Sequence, residues 1–140
     1  MIEIKHLSDP TPALPVLREL RAGIDEALFH ERLKLARAQG YRLVAAYDGD
    51  IVVGVMGYRF THDLFWGKTL FVDDLVASET RRGQGIGGLL ISTAKEVAQA
   101  QDCDHIRLCS GLTRHDAHRF YEVHGMKGFS KQFALAIKAA

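Results

Sequence analysis

The sequence predicts an α/β fold in one domain: a mixed sheet with antiparallel strands first, a central parallel pair after them, and helices packed against it. Three observations predict this. Over residues 41–77, strand-like runs are joined by turn residues, the pattern of an antiparallel meander. The run 70–77 then leads through a glycine-rich loop into a helix-like run, 89–100, and a strand-like run, 105–110. A strand, helix, strand succession makes a right-handed crossover between parallel strands. Finally, 140 residues suit a single domain, 1–140, large enough for a real core and too short for a second independent fold.

Each element has a local reason. Residues 2–7 alternate apolar and polar, as a short strand does, and Asp9-Pro10-Thr11-Pro12 breaks it before a helical segment at 14–20. Asp25 is placed to cap a second helix whose Leu28, Phe29, Leu33, Leu35 and Ala36 mark a buried stripe, and Gly40 is its natural stop. Strands are expected at 41–47 and 51–61, joined by Asp48-Gly49-Asp50, a hairpin signal. The strand at 70–77 extends the meander after a turn around Trp66-Gly67-Lys68. Beyond the crossover, 114–124 reads as a short helix and 129–137 as a last strand.

Composition narrows the function classes. With 47% hydrophobic and 25% charged residues and a net charge of +1, the chain has no broad attraction for nucleic acid or membrane, so an anionic ligand must be held locally. Cys103 and Cys109 form neither a C-x-x-C pair nor a disulfide framework, which fits a reduced, cytoplasmic setting. Met1-Ile2-Glu3-Ile4-Lys5 lacks a signal peptide's apolar core, and no apolar run approaches the roughly 20 residues that span a bilayer.

The most informative stretch is Arg81-Arg82-Gly83-Gln84-Gly85-Ile86-Gly87-Gly88, between a strand and a helix. Glycines let a backbone approach a ligand, the first N–H groups of the helix and its dipole favour negative charge, and arginines add cationic donors, so the loop suits a pyrophosphate. Gly83, Gly85 and Gly88 match G-x-G-x-x-G by letter. The dinucleotide version, however, needs its turn directly after the strand and an acid closing the next one. Here Ser78–Arg82 intervenes and the next strand ends in Cys109-Ser110. No Lys-Ser/Thr pair follows the glycines, so it is not a Walker loop either. The alternative is a turn with solvated arginines, but Gly87 and Gly88 at a helix start cost stability unless something approaches closely.

What remains, Arg82-x-x-Gly85-x-Gly87, resembles the acetyl-CoA-binding loop of the GNAT superfamily of N-acetyltransferases. About thirty-five residues downstream, Ala117-His118-Arg119-Phe120-Tyr121-Glu122-Val123-His124-Gly125-Met126 resembles that family's A-x-x-F-Y-x-x-x-G-F segment. The resemblance implies a central parallel pair that splays apart at the cofactor. It implies that residues 81–88 carry the CoA pyrophosphate, and that Tyr121, beside Phe120, stands near the CoA sulfur as general acid for the departing thiolate. Arg114 stands where relatives often have Asn and is suited to reach a phosphate. The edge Leu75-Val76-Ala77 is suited to pair with the amides of pantetheine as a further strand, with an N–H near Val76 facing the developing oxyanion. The early helices and the loop around 60–68 would shape the acceptor pocket, and a homodimer is plausible by the same resemblance.

An amine acceptor is mostly protonated at neutral pH and must lose a proton before attacking a thioester. Asp73 and Asp74 lie in the strand leading to the phosphate loop, where alternation places them on opposite sides of the sheet. One of them is expected to line a cavity: Asp73 as base or water-positioning residue, with Asp74 binding the substrate cation. Similar polyamine and small-molecule acetyltransferases carry acids at this pair of positions. The structural alternative is that each pairs with an arginine or caps a turn. For Tyr121 it is simple helix packing beside Phe120. Asp25, Glu26 and Glu31 would add negative potential, or merely a solvated helix face. His115, His118 and His124 lack a zinc spacing, so no metal is expected; Cys109 reads as a small buried hydrophobe, which disfavours an acyl-cysteine route.

The expected function is therefore acetyl-CoA-dependent, direct transfer of an acetyl group to a primary amine of a small molecule, polyamine-like, aminoglycoside-like or amino-acid-like. The alternatives are a protein or peptide acetyltransferase acting on lysine or the N-terminus, and a non-catalytic acyl-CoA sensor.

Overall fold

The alternating runs assemble into one five-stranded sheet in the computed structural model, which describes residues 1–138. The chain divides into two units after Leu108. In the first, the strands stand in sequence order: β1 (Ile2–Leu7), β2 (Arg42–Asp48), β3 (Ile51–Asp63), β4 (Gly67–Ala77) and β5 (His105–Leu108). Neighbours from β1 to β4 are antiparallel, and β4 and β5 are parallel, with Thr69 opposite His105 and Val72 opposite Leu108. The fold class is the expected mixed α/β one. The β3–β4 turn falls at 64–66, just before the expected place, because Asp63 Oδ1 accepts from the N–H groups of Phe65 (3.0 Å) and Trp66 (2.6 Å).

Helices cover both faces of this sheet. After a 3-10 turn at Thr11–Ala13 come α1 (Leu14–Leu20) and α2 (Glu26–Ala38), the latter capped by Asp25, whose carboxylate accepts from Ala27 N–H (2.8 Å) and Leu28 N–H (3.2 Å). Ala13, Val16, Leu17 and Phe29 pack with Leu43, Val55 and Val76 on that face. The crossover helix α3 (Ile86–Ala100) lays Ile86, Leu90, Ala94 and Ala98 on Val44, Met56, Leu70 and Val72 on the other. A fully buried Leu, Ile or Val contributes about 1.5–3 kcal/mol against its lost conformational freedom, so these two layers hold the sheet between them. Gly54 brings the start of α3 close: a Cβ there would lie 2.5 Å from Ile86 Cγ2.

A single irregularity interrupts β4 beside α1. Gly57 pairs with Asp74 but Tyr58 pairs with Val72, so Asp73 is an extra residue, a β-bulge. The parity of the strand changes there. Leu70 and Val72 face α3 before it, and Leu75 and Ala77 pack on that same face after it.

In the second unit, α4 (His115–Val123) ends in a Schellman turn: Gly125 at φ +87°, its N–H on the Glu122 carbonyl (3.0 Å), and the Met126 N–H on that of Tyr121 (3.0 Å). The strand expected at 129–137 is not formed. Phe133, Leu135 and Ile137 are exposed and these residues join no ladder. The alternating pattern is compatible with a strand, but a strand exists only with a hydrogen-bonding neighbour, which the pattern cannot supply.

Candidate active site

Between α1, α2 and the sheet lies a cavity of about 410 Å³, with Leu17, Ile24, Phe29 and Leu33 on its apolar side and Arg21, Arg32, Tyr41, Arg59, Asp73 and Asp74 on its polar side. Simple alternation places the two aspartates on opposite sides of the sheet. The bulge at Asp73 corrects this, and both carboxylates line the same cavity. Each is engaged by a guanidinium. Arg59 grips Asp73 with two parallel bonds, Nε to Oδ2 at 2.9 Å and Nη2 to Oδ1 at 2.8 Å. Arg21, on the turn after α1, donates to Asp74 Oδ1 from Nε (2.8 Å) and Nη2 (2.5 Å), and Nη2 also reaches the Asp73 carbonyl (3.2 Å). The arginine pairing expected as the structural alternative is thus present for both, and it coexists with their place in the cavity.

Asp74 has a second partner, since the Tyr41 hydroxyl donates to its Oδ2 at 2.6 Å. Burial first, and the Asp74 charge second, push the Tyr41 phenol far above its ordinary value, so it remains a donor throughout the working range. Its position depends on Gly57, the cross-strand neighbour of Asp74: a Cβ at Gly57 would lie 1.8 Å from the Tyr41 oxygen.

The other expected pieces of this unit lie further along β4 and past its end. Leu75, Val76 and Ala77 pair with β3 on one side, while the ladder to β5 stops at Val72, which leaves their other edge without a β5 partner. The loop then turns through Gly83 (φ +80°) and Gly85 (φ +78°) into α3. No atom lies within 4 Å of a Cβ built at either, so it is backbone conformation rather than crowding that requires glycine. Gly85 caps α3 with no side-chain bond, so the first-turn N–H groups of Ile86, Gly87 and Gly88 are open to a ligand. Arg82 is exposed with no ion pair among the described residues, and Gln84 is exposed beside it. Arg81 is instead committed to Asp48 at the end of β2, and this bond holds the Asp48 carboxyl below the usual range. These open N–H groups, the glycine backbone and Arg82 fit a pyrophosphate.

In the second unit Phe120 and Tyr121 sit on α4 with rings 5.4 Å apart, and Arg114 stands at its N-cap. Burial raises the Tyr121 phenol above its ordinary value, against an opposing pull from the Arg114 charge. His118 Nε2 donates to the Gly111 carbonyl at 2.8 Å, and His124 Nδ1 to that of Phe120 at 2.8 Å. Among the described residues no three of His, Cys, Asp and Glu are grouped to hold a metal ion. Cys109, expected to be a buried hydrophobe, is exposed, because it lies beyond the end of β5. Asp25 serves as a helix cap, and Glu26 pairs with His30 and Arg18.

Sequence reasoning missed Arg21, Arg32, Tyr41, Gly57 and Arg59. Gly57 had a signal, a glycine inside a strand that marks close approach of another group. Arg21 and Arg59 had none, since their contacts cross strands and layers, and Arg32 reads in the sequence as one more charge on a helix face.

The same chain matches known proteins in both sequence and fold. The sequence model of the Acetyltransferase (GNAT) family matches residues 6–126. The uncharacterised N-acetyltransferase YhdJ of Bacillus subtilis (strain 168) is 30% identical over 125 residues, 86% of this chain and 88% of that protein. The aminoalkylphosphonate N-acetyltransferase of Salmonella typhimurium is 32% identical over 100 residues, 69% of this chain and 62% of that one. In fold, the chain is similar to the aminoglycoside N-acetyltransferase AAC(6')-Iy solved in complex with CoA, with a TM-score of 0.83 at 12% identity over 99% of this chain and 96% of that one.

Proposed function

The chain belongs to the GNAT acetyltransferase family and is an acetyl-CoA-dependent acyltransferase, and from that premise we propose that it transfers an acetyl group directly to a primary amine of a small molecule. The observation that carries this reading is the bulge at Asp73, which brings two carboxylates to one cavity of small-molecule size, on the strand whose edge opens beyond Val72. One catalytic domain, 1–140, is supported by the family match, which runs from the first unit into the second.

Acetyl-CoA supplies the acetyl group as a thioester. Arg82, Gly83, Gln84 and Gly85, with the first N–H groups of α3, hold its pyrophosphate, Arg81 braces the loop through Asp48, and Arg114 reaches a further phosphate. The Leu75–Ala77 edge pairs with its amide arm, and the Val76 N–H donates to the carbonyl oxygen as charge develops there. Asp73, with both oxygens bound by Arg59, accepts the amine proton through a water that it positions, while Asp74 orients the acceptor through Arg21 and Tyr41. Tyr121, seated by Phe120, gives its proton to the departing thiolate; its raised pKa keeps it protonated at neutral pH. A homodimer is part of the proposal, supported by Phe133, Leu135 and Ile137, which stand 90%, 85% and 88% exposed.

The test has two stages. Thermal unfolding with acetyl-CoA, CoA, NAD and ATP at matched concentrations is expected to give stabilisation by acetyl-CoA and CoA alone. In an amine screen by thiol release, Tyr121→Phe is expected to lower kcat by about 10²–10⁴-fold and to remove the alkaline limb of the pH profile. Wild-type turnover in Tyr121→Phe across pH would falsify its role as general acid.

A further inference from the structure

Resting on the small-amine reading, we infer that the acceptor carries an acidic group, a phosphonate, phosphate or carboxylate, and that Arg32 on α2 receives it. The cavity's charges are three guanidiniums and two carboxylates, and they are not equally free. Both oxygens of Asp73 accept from Arg59, Oδ1 of Asp74 accepts twice from Arg21, and Oδ2 of Asp74 accepts from Tyr41. Those four charges cancel in pairs. Arg32 is left over: it lines the cavity and makes no ion pair or hydrogen bond with the described residues. The lining therefore has a net positive charge, carried by Arg32 at the solvent-exposed rim of the cavity, beside an apolar wall of Leu17, Ile24, Phe29 and Leu33.

This arrangement discriminates among amines by charge. A diamine brings a second cation to a site with no carboxylate oxygen unoccupied and an uncompensated guanidinium. An amine with an acidic arm supplies the missing anion, and a planar guanidinium is shaped to take a carboxylate or phosphonate with two parallel bonds.

The test compares four acceptors on one two-carbon frame, by initial rates of thiol release from acetyl-CoA: aminoethylphosphonate, β-alanine, ethanolamine and ethylenediamine. The expected kcat/KM is higher for the two acids than for the alcohol and the diamine by about tenfold to a hundredfold, the range of a charge-assisted contact. Whichever acid leads identifies the arm. Arg32→Ala is expected to shrink that ratio towards one through KM rather than kcat, with Arg32→Lys restoring part of it. Equal or better transfer to ethylenediamine overturns the inference and leaves the acetyltransferase reading intact. Failure of all four to accept acetyl counts against the small-amine reading instead. In that event melting decides the anion site: stabilisation by aminoethylphosphonate in wild type but not in Arg32→Ala supports it, and no difference overturns it.

Discussion

Gly57 and Tyr41 form a single device in which the absence of one side chain makes room for another. A methyl group at position 57 would collide with the Tyr41 hydroxyl, and no rotation of a ring buried to 7% exposure relieves that cheaply. Gly57→Ala is expected to cost about 1–3 kcal/mol, the usual penalty of overpacking, and to raise the acceptor KM because Asp74 loses its orienting donor. Urea unfolding and steady-state kinetics on the same preparation check both effects. Tyr41→Phe separates the hydroxyl from the ring. The folded phenol titrates far above its unfolded value near 10, so between them the unfolded state has released a proton that the folded state still holds. Stability is therefore complete below the unfolded value and falls as pH rises beyond it, by up to ~1.4 kcal/mol per pH unit. Tyr41→Phe should make that slope shallower, leaving the share of Tyr58 and Tyr121, whose phenols burial also raises; an unchanged slope would mean that the Tyr41 phenol is not held as described. At this scale the sequence disclosed Asp73 and Asp74 but not their partners. Arg21 stands 53 positions from Asp74 and Arg59 stands 14 from Asp73, beyond the reach of local pattern.

Most elements follow their sequence signals closely, because each has a local cause: the Asp25 cap, the Asp48-Gly49-Asp50 turn, the apolar stripe of α3. Two departures have physical reasons. Helix α3 begins at Ile86, three residues before the apolar run, since helix geometry only requires the backbone to turn at Gly85. The segment after α4 has strand composition without a ladder. The entry to α3 is itself testable. Gly85 holds φ +78° in open space, so the penalty of replacing it is purely conformational. Gly85→Asn, which tolerates the left-handed region, is expected to keep most acetyl-CoA affinity, whereas Gly85→Val should lose stability by about 1–2 kcal/mol and weaken binding further. Calorimetric titration with CoA distinguishes them; equal affinities for the two variants would show that the left-handed turn is irrelevant to the ligand.

At the scale of the whole molecule, 140 residues leave little surface to spare, and the apolar side chains at 133, 135 and 137 are costly to expose. Sedimentation velocity is expected to give a dimer that dissociates when Phe133→Asp and Leu135→Asp are combined, with the melting curve of wild type indicating whether the fold survives. A monomeric wild type at micromolar concentration would remove the homodimer from the proposal. Fold class was legible in the sequence because it depends on periodicity and order. The cavity was not, because it depends on a single residue out of register. That residue also stands outside the pairing that sets which side chains face each layer. Deleting position 73 would leave Gly57 opposite Asp74 and restore regular alternation, with Leu75 and Ala77 still facing α3 and Val76 still facing the other layer, so the loss would be confined to the Asp73 carboxylate and its two bonds to Arg59. The carboxylate at the bulge is therefore an addition to a sheet that is complete without it, and the chemistry of this cavity can be gained or lost there by a change of strand length that leaves both layers packed.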